Sequence, residues 1–177
     1  ITSEFPNLKE TVANMYQTMY NACGVGLAAP QVGMSIRLFV IDTTAFGEDD
    51  ELATEEQILL KNFKRTFINA KMIKEEGELW GFNEGCLSIP DIREDVSRYQ
   101  HLHIRYQDEN WKWQEERYHG LAARVIQHEY DHIDGKLLTD RLSPLRKAML
   151  KNRLEAISKG MVKVDYKMKF PNLKKGR

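Results

Sequence analysis

Apolar residues fall three and four positions apart at Leu8, Val12, Met15 and Met19, the period of a helix with one face on a core, and Gly24 is expected to end it. Residues 24–33 then carry three glycines and a proline, which deny a regular element and let the backbone approach something closely. Residues 37–41 read as a buried strand. Residues 43–64 are acidic and helical in flavour, a surface excursion, and residues 65–74 alternate like a strand. A second glycine-punctuated loop, residues 81–90, carries Cys86. Strands follow at residues 92–97, 101–107 and 111–118, the last two joined as a hairpin through Asp108, Glu109 and Asn110, with Trp111, Trp113 and Tyr118 packing on the core. Residues 121–133 contain no Gly or Pro and read as a helix beginning near Gly120. Ser143 and Pro144 pair an N-cap with a proline at the first helical position. They open a last amphipathic helix, marked by Leu145, Met149, Leu154 and Ile157, that ends near Gly160.

No linker, repeat or low-complexity tract divides these 177 residues, so a single domain spanning residues 1–177 is expected. With 42% apolar and 29% charged residues the chain is neither disordered nor fibrous. Its formal net charge of zero gives no support to bulk DNA or membrane binding. No apolar run approaches the ~20 residues that span a bilayer. Two cysteines, Cys23 and Cys86, are too few for a disulfide framework and suggest a reducing cytoplasm. The chain starts at Ile1 rather than Met, so a lost or processed start is expected. From Val162 the tail (residues 161–177) is basic, with Lys163, Lys167, Lys169, Lys174, Lys175 and Arg177.

Candidate chemistry centres on Gln127-His128-Glu129-Tyr130-Asp131-His132. Two histidines four apart on a helix share one face, one turn apart, and can grip a single metal ion. Glu129 beside them is placed to handle a proton on an activated water. Two ligands leave a catalytic site one short of the usual three. Asp134 and Asp140 lie downstream without persuasive spacing, and Asp131 points elsewhere. Cys86, in a loop of permissive geometry, would complete a thiolate-plus-imidazole set suited to zinc or ferrous iron. It can equally be a small buried apolar residue. Spacing alone does not choose.

GVGLAAPQ (residues 24–31), EGCLS (residues 84–88) and QHEYDHIDG (residues 127–135) together resemble the three signature motifs of the peptide deformylases, in the expected order. Family members begin with a further strand and a turn that this sequence does not show, and residues 43–64 exceed the family pattern. The resemblance implies an α+β fold, antiparallel sheets cradling the His-Glu-x-x-His helix, with a C-terminal helix behind. It implies metal ligation by Cys86, His128 and His132, ferrous iron being usual and zinc, nickel or cobalt substituting. The implied activity is hydrolysis of the formyl group from the N-terminal formyl-methionine of nascent polypeptides, releasing formate. Glu129 would take a proton from the attacking water and pass it to the leaving amine. The Gln31 amide and the Leu87 N–H would face the charge that develops on the formyl oxygen.

The peptide would pair with Gly24, Val25 and Gly26, where a side chain at Gly26 would obstruct it. Val25, Phe82, Leu121 and Val125 would wall the methionine slot. Gly85 and Arg93 would border the peptide, and Arg124 would sit at the rim or be a solvated helix charge. Glu84 and Arg98 would brace the Cys86 loop, unless they form a plain surface pair. The basic tail offers weak contact with ribosomal RNA. A His-Glu-x-x-His peptidase and a non-catalytic peptide-binding protein are the alternatives; Cys86 within EGCLS, and the retention of Gln31 and Glu129, weigh against them.

Overall fold

The computed structural model describes residues 1–170; Lys174, Lys175 and Arg177 of the basic tail lie outside the described residues. Helix α1 (Leu8–Asn21) buries Leu8, Val12, Met15, Tyr16 and Met19, the stripe its periodicity predicts. Each such side chain contributes about 1.5–3 kcal/mol relative to exposure. The helix ends at Asn21, before Gly24 as expected. Cys23 takes the left-handed conformation (φ 54), its N–H bonding Tyr20 O and that of Gly24 bonding Met19 O. This paired closure satisfies the last carbonyls of the helix.

Five strands form one antiparallel sheet in the order β1 (Gly26–Ala28), β2 (Leu38–Asp42), β3 (Lys64–Gly85), β4 (Arg93–Gln107) and β5 (Trp113–His119). Three differences from the sequence reading follow. Gly26–Ala28, inside the first glycine-rich stretch, is a short strand paired with β2. The strand expected at residues 65–74 continues to Gly85, so the first half of the expected second loop is strand. Residues 92–97 and 101–107 belong to one strand, β4, which pairs along the length of β3. β3 tolerates this length by bulging: its register with β4 shifts between Ile68 and Lys71, Met72 and Lys74, and Glu76 and Leu79. Such bulges bend a strand and increase its twist. The β4–β5 hairpin forms as expected, with Trp111 in its turn and Tyr118 both packed on the core, but Trp113 is 45% exposed and stacked under Arg105.

Residues 43–64 hold helix α2 (Thr54–Lys61) and are more than a surface excursion, since Leu60 and Phe63 are buried in the main core. Helix α3 (Gly120–Ile133) packs against β1, β2, β4 and β5, and sends Ala122, Ala123 and Ile126 into that core. Gly135 (φ 75) closes it, as Lys136 N–H bonds Asp131 O and Gly135 N–H bonds His132 O. The last helix, α4 (Pro144–Ser158), is capped by Ser143 Oγ, which accepts from Arg146 N–H. Its inward seam is Leu150, Leu154 and Ile157 rather than the expected stripe; Leu145 and Met149 are 74% and 62% exposed. Positions 149 and 150 differ by about 100° around a helix, so a seam shifted by one residue turns Met149 outward.

Candidate metal centre

Three elements converge on one point. α3 presents His128 and His132 with ring centroids 5.1 Å apart. The turn after β3 presents Cys86, whose Sγ lies 3.3 Å from His132 Nε2. The ligating atoms of Cys86, His128 and His132 all lie within 4.8 Å of one another, close enough to share a metal ion. Asp134 and Asp140 are engaged elsewhere, with Arg37 and with the Leu137 N–H. Asp131 likewise turns away, to Arg98 and Arg141.

Glu84 organises the ring next to Cys86. It accepts from Arg98 Nε at 2.7 Å and Nη2 at 2.9 Å, from Arg124 Nη1 at 2.8 Å, and faces His128 Nδ1 at 2.9 Å. Burial would raise its pKa, but the hydrogen bond from His128 and the Arg98 guanidinium outweigh that and hold the carboxyl well below the usual range. An ionised carboxylate only accepts, so His128 donates through Nδ1, leaving Nε2 as its free ligand atom. Arg98 and Glu84 are buried, not a surface pair. Arg124 is 2% exposed, neither at a rim nor solvated: it bonds Glu84, Val96 O and Trp80 O, and lies over the Trp80 ring.

The charge state of the ring suits a cation. Burial would raise the Cys86 thiol, yet hydrogen bonds to His128 and His132 bring its pKa down to about 5. Burial would lower His128, yet Cys86 and Glu84 raise it to about 10. A thiolate beside two imidazoles is a donor set that a divalent metal takes up by displacing protons from the ligating atoms. Glu129 adds an unmet acceptor. It is 4% exposed, its Oε2 has no hydrogen-bond partner among the described residues, and burial raises its pKa despite the neighbouring histidines.

A cavity of about 640 Å³ opens on these groups. Gly24, Val25, Gly26, Phe82, Gly85, Arg93, Arg124 and Val125 line it together with Gln31, Glu84, Cys86, Leu87, His128 and Glu129. Leu121 does not: it lines a separate pocket with Leu52, Trp80 and His119, because it sits nearly two turns of α3 before His128. Arg93 is held by Asn83, through its side chain and its carbonyl. Gly26 leaves space for the chain's own Glu129 rather than only for a ligand, since a Cβ there would meet Glu129 Oε1 at 2.4 Å. Gln31 is fixed at both ends: Oε1 accepts from Ala28 N–H at 2.8 Å, and Nε2 donates to Ser88 Oγ at 3.0 Å beside Cys86 Sγ at 3.9 Å. The Leu87 N–H makes no backbone hydrogen bond among the described residues.

The sequence reading missed Phe46, Asp91 and residues 163–166, all lining the cavity, and Arg141, which pins Asp131. Phe46 and residues 163–166 carry no motif; only the folded chain brings them to the cavity.

The family model for polypeptide deformylase matches residues 2–148. The chain belongs to the polypeptide deformylase family. It is 60% identical to the peptide deformylase of Flavobacterium johnsoniae over all of this chain and 90% of that relative. Its fold matches a crystal structure of a peptide deformylase from Legionella pneumophila with a TM-score of 0.73 at 34% identity, covering 91% of this chain and 86% of that one. The match to Arabidopsis thaliana peptide deformylase 1B in complex with an inhibitor gives a TM-score of 0.76 at 32% identity, covering 91% and 82%. The resemblance read from three motifs thus extends through the fold.

Proposed function

We propose that this deformylase-family chain removes the formyl group from the N-terminal formyl-methionine of nascent polypeptides, with release of formate. The observation that carries the residue assignment is the meeting of Cys86, His128 and His132 with an unpartnered, buried Glu129 and the Gln31 amide at one cavity. Cys86, His128 and His132 would hold the metal. Thiolate with two imidazoles accommodates ferrous iron, our assignment for the native ion, and zinc, nickel or cobalt in its place. A divalent metal there supplies Lewis acidity, making a water available as a nucleophile near neutral pH.

The chain's own residues supply the rest. Glu129, with its raised pKa, accepts the water's proton and returns it to the methionine nitrogen as the formyl C–N bond breaks. Gln31 Nε2 and the Leu87 N–H donate to the formyl oxygen as its charge grows; such a donor contributes about 3–4 kcal/mol to lowering a barrier. Val25, Phe82 and Val125 form the apolar slot for the methionine side chain, and Gly24 to Gly26 offer backbone to the peptide. Glu84 and Arg98 hold His128 and the Cys86 turn in place. A metallopeptidase needs no thiolate, and a structural site is normally closed by a fourth protein ligand, which does not join this cluster among the described residues. Two free cysteines suit a reducing cytoplasm. Lys163, Lys167 and Lys169 are exposed and suit weak contact with ribosomal RNA. No described helix is long and apolar enough to cross a membrane.

The test is formate release from formyl-Met-Ala-Ser, comparing the wild type with Glu129→Ala, both loaded anaerobically with ferrous iron or nickel. Release by the wild type and at least about a 10²-fold loss in the metal-loaded variant are expected. No release from folded, metallated wild type overturns the reading.

A further inference from the structure

Residues 162–170 leave α4 and run back across the molecule. Their burial alternates with a period of two: Val162, Val164, Tyr166, Met168 and Phe170 are half-buried, while Lys163, Asp165, Lys167 and Lys169 are exposed. That is the pattern of a strand laid against a surface. Val162 packs on the Leu150 and Ile157 cluster of α4 at one end. At Tyr166 the phenol hydroxyl donates to Leu87 O at 2.8 Å, tying the segment to the turn that bears Cys86. Between these anchors Lys163, Val164, Asp165 and Tyr166 all line the cavity that opens on the metal centre. Among the described residues, the backbone groups of residues 162–170 make no backbone hydrogen bond.

We propose that residues 162–166 form the subsite for the peptide residues that follow formyl-methionine. The proposal rests on the deformylase reading for its ligand. A cavity of about 640 Å³ is in the range, roughly 300–1,000 Å³, that takes a ligand larger than one amino acid. An extended peptide whose methionine fills the slot at Phe82 and Val125 continues past the strap. There the strap's unpaired backbone groups meet the peptide's own by strand addition. Side chains on the strap then set preference, with Lys163 the exposed cation at the cavity wall. Tyr166 holds the strap through Leu87 and is a positioning residue.

The experiment is calorimetric binding of three product-like ligands, Met-Ala-Glu, Met-Ala-Lys and methionine amide, to the nickel-loaded full chain. Tyr166→Phe is expected to weaken both tripeptides several-fold and leave methionine amide unchanged. Lys163→Glu, at an exposed position that leaves folding intact, is expected to shift the ratio of the tripeptide affinities toward Met-Ala-Lys by about fivefold. Variants that bind all three ligands as the wild type does, or that lose all three equally, overturn the proposal. Binding is read without catalysis, so the two failures separate. Formate release with indifferent variants removes the strap alone. The expected binding pattern without formate release removes the deformylase reading and leaves the strap as a peptide site.

Discussion

Gly26 and Glu129 are in such close approach that a Cβ on residue 26 would lie 2.4 Å from Glu129 Oε1 and 2.7 Å from its Cδ and Cγ. Gly26 does not have a positive φ, so alanine is acceptable to the backbone and its whole penalty is this contact. Glu129 is buried, and its carboxylate is the group that must give way. Gly26→Ala should therefore push the carboxylate off its position while sparing Cys86, His128 and His132. We expect kcat to fall by about 10²-fold, the scale of a lost general base, with metal content unchanged by elemental analysis. Overpacking should also lower stability by about 1–3 kcal/mol. Wild-type kcat in this variant would show that Glu129 needs no such fixed seat.

Among the described residues, Glu84 is the one carboxylate shared by two buried guanidiniums and His128. Glu84→Gln keeps the shape and removes the charge, leaving Arg98 and Arg124 facing a neutral amide that also donates. The expected cost is about 3–5 kcal/mol in urea unfolding, as for a broken buried ion pair. Without the carboxylate, His128 loses the acceptor that fixes its Nδ1 proton, and metal affinity should weaken by about 10–100-fold in chelator competition. Loss of stability with unchanged affinity would leave Glu84 a purely structural residue.

Helix α3, the two glycine-bearing motifs and the antiparallel hairpin were legible in the sequence because each leaves a local signature of period, glycine or turn residue. The second half of β3 was not. In Lys74, Glu75, Glu76, Gly77, Glu78 and Leu79 no apolar face alternates, because this stretch is largely exposed on both sides and its strand character comes from pairing with β4. Arg124 misled for the opposite reason. A charged residue on a helix is usually solvated, and only the fold shows Glu84, from 40 residues away in sequence, coming to meet it. The strap at residues 162–166 has a clean period of two, but its lysines dominate the composition and masked the alternating Val162, Val164 and Tyr166.

Glu56 lies in α2, a segment without any motif, yet its Oε1 accepts from the Leu121 N–H at 3.0 Å at the first turn of α3. A carboxylate there satisfies a free N–H and complements the helix dipole. Glu56→Ala should cost about 0.5–2 kcal/mol, the usual loss for a removed cap, measured by chemical denaturation. Hydrogen exchange should accelerate at the α3 N-terminus first. Gly120→Ala should cost more, since φ is +57 there and the new Cβ would meet Glu56 Oε1 at 2.4 Å. Equal stability of Glu56→Ala and wild type would mean that water caps the helix as well.

Asp42 supplies a pH signature through a cluster that includes none of Cys86, His128 and His132. Its burial raises the carboxyl pKa, but hydrogen bonds from Thr44 and Tyr20, with Lys64 nearby, outweigh that and lower it. A folded pKa below the unfolded value means that the unfolded chain binds the proton more readily. The contribution is therefore fully present above the unfolded carboxylate pKa, about 3.9, and is lost as pH falls through the lower folded value. The groups facing Asp42, Tyr20 and Lys64, hold their protons throughout this acid range, and the comparison with Asp42→Asn isolates the Asp42 contribution. Unfolding free energies of wild type and Asp42→Asn should differ most at pH 6 and converge as pH is lowered below about 3.9. A constant difference across that range would assign the role of Asp42 to its shape rather than to its charge.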